Sequence, residues 1–340
     1  MKQGVSFRDM TTVSRIEIPT PFPISRVNSY YIHDSVPTLI DAGVDTDEAF
    51  QTLRSGITKA SGTLEGIKRI ILTHAHADHI GLVSRIVQVS GAEVFIHQFD
   101  APKMKDSGET GAAILRSRYR QFLTESGVPE GLTEEFLEVL FKRLKRYFKC
   151  YEHAKSLTGS EIFLFDDLQL DVIHTPGHSP GSACLFNRHD GTLFSGDTLL
   201  EKITSNPVVE VNPTKETEGY RSLESYKKTL SLLRELHVTT VMPGHGKPFH
   251  SHLARVDQLL DHHEERTEQI VQILQSNRRR SGGLKEMTRY MMTQSLFVGL
   301  KGMDVFLGLS ELKGHLEILE GQGRVYSFLD DGHLLYGVEN

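Results

Sequence analysis

The sequence predicts a mixed α/β (α+β) fold in which two halves, each a sheet backed by helices, meet at their sheets. Three observations lead there. Short apolar runs of strand character, such as residues 67–73 and 168–173, alternate with amphipathic helical stretches such as 220–236. Four of the apolar runs end in segments that carry histidine or aspartate: 74–79, 174–182, 194–198 and 241–246. A chain of 340 residues is also long for one compact core and leaves room for a smaller second unit.

The first half opens with strands at 16–18, 28–32 and 38–40, separated by proline-bearing turns. The run 67–73 reads as a buried strand, and Ile80, Val83, Ile86 and Val87 then fall at helical spacing. His74, His76, Asp78 and His79 therefore lie between a strand's carboxyl end and a helix mouth, a common place for a ligand site. Residues two apart on extended backbone point the same way, so His74 and His76 can grip one ion. Asp78 and His79 come as the chain turns, and face a different point. One segment can thus serve two metals. Residues 93–97 read as another strand, with His97 as a structural histidine. Residues 112–126 and 133–155 have helical composition, broken at Gly127-Val128-Pro129. Over 112–155 as a whole there are nine basic against six acidic residues, a local charge of +3 within a chain of formal charge −6. Lys142, Arg143, Lys145 and Arg146 belong either to a solvated face or to a lid that attracts an anionic substrate.

The second half starts with the alternating strand 168–173. Strands 183–186 and 192–195 flank a hairpin turn at Asp190-Gly191. The polar loop 199–219 borders the pocket, the helix 220–236 presents Leu223, Tyr226, Leu230 and Leu233, and strand 238–242 delivers His245. Beyond these come a charged helix at 254–275, a linker-like stretch at 276–283, helices at 284–292 and 309–319, and hairpin strands at 324–329 and 333–338. This tail resembles a small winged-helix domain.

Glycines in the last three motifs let the backbone turn sharply beside His178, Asp197 and His245. Taken together, the motifs resemble the metallo-β-lactamase superfamily over roughly residues 5–255. The resemblance implies an αββα sandwich and a ligand set. His74, His76 and His178 match its first metal site, Asp78, His79 and His245 its second, and Asp197 the bridging carboxylate. Asp41, in Leu39-Ile40-Asp41-Ala42-Gly43, matches a carboxylate that supports the ligand loop. Two divalent ions are expected, zinc by ligand type, with manganese or iron also compatible. Two such ions about 3.5–4 Å apart share a hydroxide that attacks an electrophilic centre. Asp78 is expected to orient that nucleophile and move its proton.

The expected division is a catalytic domain at 1–255 with a helical insertion at 101–158, a helix and linker at 256–283, and a winged-helix-like domain at 284–340. No segment approaches the ~18 apolar residues of a membrane span. The first residues lack a signal peptide's apolar core, and Cys150 and Cys184 read as thiols in a reducing compartment, so a cytoplasmic enzyme is expected. The net negative charge disfavours a dedicated nucleic-acid binder. The leading expectation is hydrolysis of a small acyl substrate, a thioester or lactone. The tail is similar to that of the subgroup holding a mitochondrial endoribonuclease and polyketide thioesterases. That likeness keeps single-stranded RNA as the alternative substrate and suggests a homodimer. A non-catalytic regulator that binds a partner is the third reading.

Overall fold

Alternation decides the architecture. In strands β2 (Arg26–His33), β3 (Thr38–Ile40) and β4 (Arg69–Ile71), Tyr31, Leu39 and Ile70 face one apolar cluster, while Tyr30, Ile32, Ile40 and Ile71 face another. A sheet buried on both faces must lie between two layers. A computed structural model shows those layers and describes residues 11–24, 26–105, 107–280, 286–297 and 299–338.

The first sheet has the order β1-β2-β3-β4-β5-β6, with β1 (Thr12–Pro19), β5 (Glu93–His97) and β6 (Lys155–Leu157) completing it. Its β1–β3 part is antiparallel and its β3–β6 part parallel. Helix α1 (Asp47–Lys59) covers the outer face with Ala49, Leu53 and Ile57. No helix was expected here, although those three residues recur every four positions and Thr46 caps the start by accepting the Ala49 N–H at 3.1 Å. The helix expected after the histidine motif divides into α2 (Ala77–Ile80) and α3 (Val83–Ser90). The insertion forms α4 (Gly108–Glu125) and α5 (Glu130–Tyr147). Helix α5 stops well before Lys155, which instead opens edge strand β6 beside β5. The insertion is therefore shorter at this end than its helical composition suggested.

The second sheet has the order β11-β10-β9-β8-β7. It comprises β7 (Ile162–Leu164), β8 (Gln169–His174), β9 (Ala183–Asn187), β10 (Thr192–Gly196) and β11 (Thr240–Pro243), with helix α6 (Ser222–Arg234) before β11. Leu170, Val172, Leu185 and Phe194 meet Tyr30, Ile40 and Ile71 of the first sheet, which is the core between the sheets. Leu230 and Leu233 of α6 cover the outer face together with Val256 and Leu259 of the next helix. The layers run α-β-β-α, as the resemblance implied. Each fully buried Leu, Ile or Phe in these seams contributes roughly 1.5–3 kcal/mol relative to exposure.

Helix α7 (His252–Arg280) runs through residues 276–280, which composition had read as linker. The stretch has no proline, and no glycine before Gly282, and arginine is a good helix former. Residues 281–283 of that linker lie outside the described residues, as do 284 and 285 of the next expected helix. Strand β12 (Met287–Thr288) then precedes α8 (Arg289–Leu296), whose cap Thr288 accepts the Met291 N–H at 3.2 Å. Helix α9 (Met303–Gly321) and strands β13 (Val325–Asp330) and β14 (His333–Val338) finish the chain, with a small sheet of order β12-β14-β13. Leu312 and Leu316 of α9 join Ile270 and Leu274 of α7 in a core of their own. Helix α9 also packs Phe306 and Leu309 against Phe122 and Phe136 of the insertion and against Val208 and Val209 of the loop after β10.

Candidate metal centre

Every candidate ligand sits at one edge of the two sheets, where strands end. His74 and His76 follow β4, and Asp78 and His79 lie in α2. His178 follows β8, Asp197 ends the β10 run and His245 follows β11. Close backbone approach makes this crowding feasible. A Cβ on Gly244 would stand 2.3 Å from Asp197 Oδ1 and 2.9 Å from His79 Cε1, so only glycine fits. Gly196, at φ +48°, would bring a Cβ within 2.6 Å of Thr73 Oγ1.

All seven residues singled out in the sequence converge, in three overlapping groups. These are His74, His76 and His178; His74, His79 and Asp197; and Asp78, His79 and His245. Within each group the donor atoms lie within 4.8 Å of one another. His76 Nδ1 stands 3.0 Å from His74 Nε2 and 2.9 Å from His178 Nε2, so three ring nitrogens point at one place. Asp197 lies between the groups, with Oδ1 at 3.4 Å from His79 Nε2 and Oδ2 at 3.3 Å from His245 Nε2 and 3.6 Å from His178 Nε2. Asp78 Oδ2 is 3.4 Å from His245 Nε2.

The outward nitrogens are held by acceptors. His74 Nδ1 donates to Thr73 Oγ1 (3.1 Å), His79 Nδ1 to Asp41 Oδ2 (2.8 Å), His178 Nδ1 to the Asn206 carbonyl (3.0 Å) and His245 Nδ1 to the Arg26 carbonyl (2.6 Å). These contacts fix the tautomers and turn the Nε2 lone pairs inward. Asp41 sits at φ +58° and also accepts the Thr73 N–H and hydroxyl at 2.8 Å each, so it braces the ligand loop as expected.

The residues fit a cation. His79 Nε2, Asp197 Oδ1 and His245 Nε2 are buried without a hydrogen-bond partner, a costly arrangement that an ion would relieve. Burial, then the neighbouring imidazoles, push His74 well below the usual histidine range, and burial with His178 takes His76 down to about 3. Both are then neutral, as ligands must be. Burial also lowers His79 and His245, but the carboxylates outweigh it. Asp197, Asp41 and Asp78 hold His79 well above the usual range, and Asp197 with Asp78 brings His245 up to about 10. Conversely, His245 and His79 hold Asp197 well below the carboxylate range against its burial.

Sequence reasoning missed several supports. Asp100, fully buried, accepts from Ala75 N (2.9 Å), Ser179 Oγ (2.7 Å) and Gly181 N (3.1 Å), and so ties the two histidine loops together. Lys103 pairs with it at 3.0 Å and with Glu210 at 2.8 Å. The loop after β10 supplies the Asn206 carbonyl and is itself held by α9: Asn206 Nδ2 donates to the Leu307 carbonyl (3.1 Å) and Val209 N to Ser310 Oγ (2.6 Å). The insertion packs through α5 against the end of α2, where the Tyr147 carbonyl would lie 2.8 Å from a Cβ on Gly81. Four of the nine basic residues of 112–155 are in ion pairs, Arg116 and Arg120 with Glu134, Lys149 with Asp45 and Lys155 with Glu93. His97 stacks on His174 with ring centroids 3.9 Å apart, outside the ligand cluster.

Comparison with known proteins agrees with the fold. The profile described as "Metallo-beta-lactamase superfamily" matches residues 23–245. The chain is 32% identical over 334 residues to the probable metallo-hydrolase YqjP of Bacillus subtilis, covering 96% of this chain and 98% of that one. It is 25% identical over 228 residues to the acyl-coenzyme A thioesterase MBLAC2 of Gallus gallus, covering 66% and 74%. Among solved structures, the metallo-beta-lactamase family protein TTHA1429 of Thermus thermophilus superposes with a TM-score of 0.79 at 22% identity, covering 96% of this chain and 98% of that one. That likeness extends the shared fold across the C-terminal helices. With its motifs, layers and profile in agreement, the chain belongs to the metallo-beta-lactamase superfamily.

Proposed function

We propose that the chain is a dinuclear metal-dependent hydrolase of small acyl substrates, thioesters or lactones, and that zinc is its metal. The donor set carries this reading: inward lone pairs on His74, His76 and His178, a second group of Asp78, His79 and His245, and Asp197 between them. The first three would hold one ion and the second three the other, with Asp197 shared. When bound, such ions supply Lewis acidity and make water nucleophilic near neutral pH. The chain's own residues do the rest. Asp78 Oδ2, beside His245, orients the attacking water and takes its proton, then returns it to the leaving group. Asp41 and Asp100 hold the loops rigid, so the groups need little rearrangement during reaction. The nitrogen and carboxylate donors favour zinc without requiring a thiolate.

The acyl class draws support from the thioesterase named among the relatives. Pairing of Arg116, Arg120, Lys149 and Lys155 within the chain leaves fewer cations for RNA phosphates than composition suggested. In this reading residues 1–255 form the catalytic unit and the C-terminal helices buttress it. Metal analysis followed by assays on an acyl-coenzyme A, a lactone, a phosphodiester and a short single-stranded RNA tests it. Two ions per chain and ester cleavage abolished in His76→Ala are expected. RNA cleavage alone, or activity equal in the variant, would overturn it.

A further inference from the structure

We propose that the seam where α6, α7 and α9 meet is an acid-operated latch, in which protonation of His263 and His315 releases helix α9. The inference stands apart from the hydrolase reading, because neither histidine is among the candidate ligands. His263 of α7 and His315 of α9 are 1% and 0% exposed, with ring centroids 5.5 Å apart. Tyr226 of α6 stands edge-on to His263 at 5.8 Å. Thr267 Oγ1 donates to the His263 carbonyl (2.8 Å), so toward His315 Nδ1 (2.9 Å) it can only accept. That leaves His315 Nε2 without a proton. Among the described residues neither it nor either ring nitrogen of His263 has a hydrogen-bond partner. Buried polar atoms are nearly always paired, so three orphans in one seam mark a costly arrangement.

The surroundings decide what a proton would do there. Lys227 of α6 and Arg266 of α7 flank the pair, and half-buried His262 adds a third titratable ring. Lys227 engages Glu264, and Arg266 engages Glu311 of α9 at 2.9 Å. An imidazolium on either ring would therefore join two cations whose carboxylates are already engaged. Water cannot solvate it while the helices stay packed: a Cβ on Gly314, next to His315, would stand 2.7 Å from Leu223 Cβ of α6. Burial, then the neighbouring histidines and cations, takes His263 down to about 3 and His315 to about 2. A released histidine takes up its proton near ~6.5. Because the folded values are the lower ones, docking is fully stabilised above ~6.5 and loses stability as pH falls from there toward about 3. Ser310 and the Leu307 carbonyl of the same helix hold the loop that orients His178, so release of α9 slackens that loop as well.

Hydrogen exchange of the full chain between about pH 7 and about pH 5, with each rate divided by its intrinsic value, tests this. Opening of α9 should rise by roughly 25-fold for each histidine that gains a proton, hence roughly 600-fold in wild type, while amides of α1 in the other layer stay protected. His263→Phe keeps a ring and His315→Asn keeps a donor for Thr267, and neither new side chain takes a proton in this range. Each should cut the rise to roughly 25-fold, and the two together to a few-fold. His153→Gln, at an exposed histidine, should leave it at the wild-type size. Thermal melts at neutral pH check that the variants fold, and the wild-type profile decides without them. Protection of α9 that is indifferent to pH in wild type would overturn the proposal. So would a rise of wild-type size in the double variant, or equal loss of protection in α1 and α9, which would place the acid effect on the whole fold.

Discussion

Asp100 joins loops that lie far apart in sequence. It contacts the backbone at Ala75 and at Gly181, and the hydroxyl of Ser179, so its loss should loosen both ligand loops together. Burial alone would raise its pKa, but Lys103, the Ser179 hydroxyl and the Ala75 N–H hold it down at about 2. The unfolded value is ~3.9. Because the folded value is the lower one, the stabilisation is complete above the unfolded value and is lost as pH falls through about 2. Its size is on the order of 2 kcal/mol. Asp100→Asn should therefore be less stable than wild type at neutral pH, and the gap should close in acid across that window. Urea unfolding at a series of pH values measures it, and a gap independent of pH would show that the carboxylate's charge is not what matters. Nothing in the sequence marked Asp100, since a lone aspartate after Phe99 looks like any loop residue. His74, His76, Asp78 and His79 were legible for the opposite reason, being four donors in six consecutive positions. Asp41 was legible only through its family pattern, because its partners Thr73 and His79 are remote in sequence.

Among the elements, α9 acts on the site at one remove, through the loop after β10. Ser310, fully buried, accepts the Val209 N–H and donates to the Pro207 carbonyl at 3.3 Å, so it fixes the loop whose Asn206 carbonyl orients His178. Ser310→Ala would strand a half-buried N–H, at a cost of about 1 kcal/mol, the lower end for a lost partner. Metal affinity at the group of His74, His76 and His178 should fall by about tenfold, the lower end for lost outer contacts of ligands. Competition with a chelating dye reads this, with exposed Ser295→Ala as control. Equal affinity in wild type and Ser310→Ala would mean that the loop holds His178 unaided. This linkage was hidden from sequence because it runs through backbone carbonyls, which every residue has. Element types were readable where one face is apolar at a steady period, as in α6 with Leu223, Tyr226, Leu230 and Leu233. They were misjudged where composition stood in for pattern. Lys155 looked helical beside its basic neighbours and is strand, and Ser276–Asn277 looked like linker and lies within α7.

For the whole molecule, the division of the ligands between the halves has the largest consequence. His74, His76, Asp78 and His79 come from the half built on the first sheet, and His178, Asp197 and His245 from the half built on the second. Two ions, one held by His74, His76 and His178 and the other by Asp78, His79 and His245, would clip the halves together at their shared edge, opposite in character to the apolar seam of Tyr30, Ile71 and Phe194 that joins them elsewhere. In the unfolded chain these donors disperse, so metal binding adds directly to folding free energy. At a thousandfold excess of free metal over Kd the gain is about 4 kcal/mol. At roughly 2 °C per kcal/mol for a chain of this size, Tm should rise by on the order of 8 °C. The rise should grow with the logarithm of free metal, should shrink in His76→Ala, and should fade as acid protonates the ligands. Calorimetric melts after chelation and after zinc restoration measure it. A Tm indifferent to metal would mean that no ion binds the folded chain more tightly than the unfolded one, and that the apolar seam alone sets how the halves are joined.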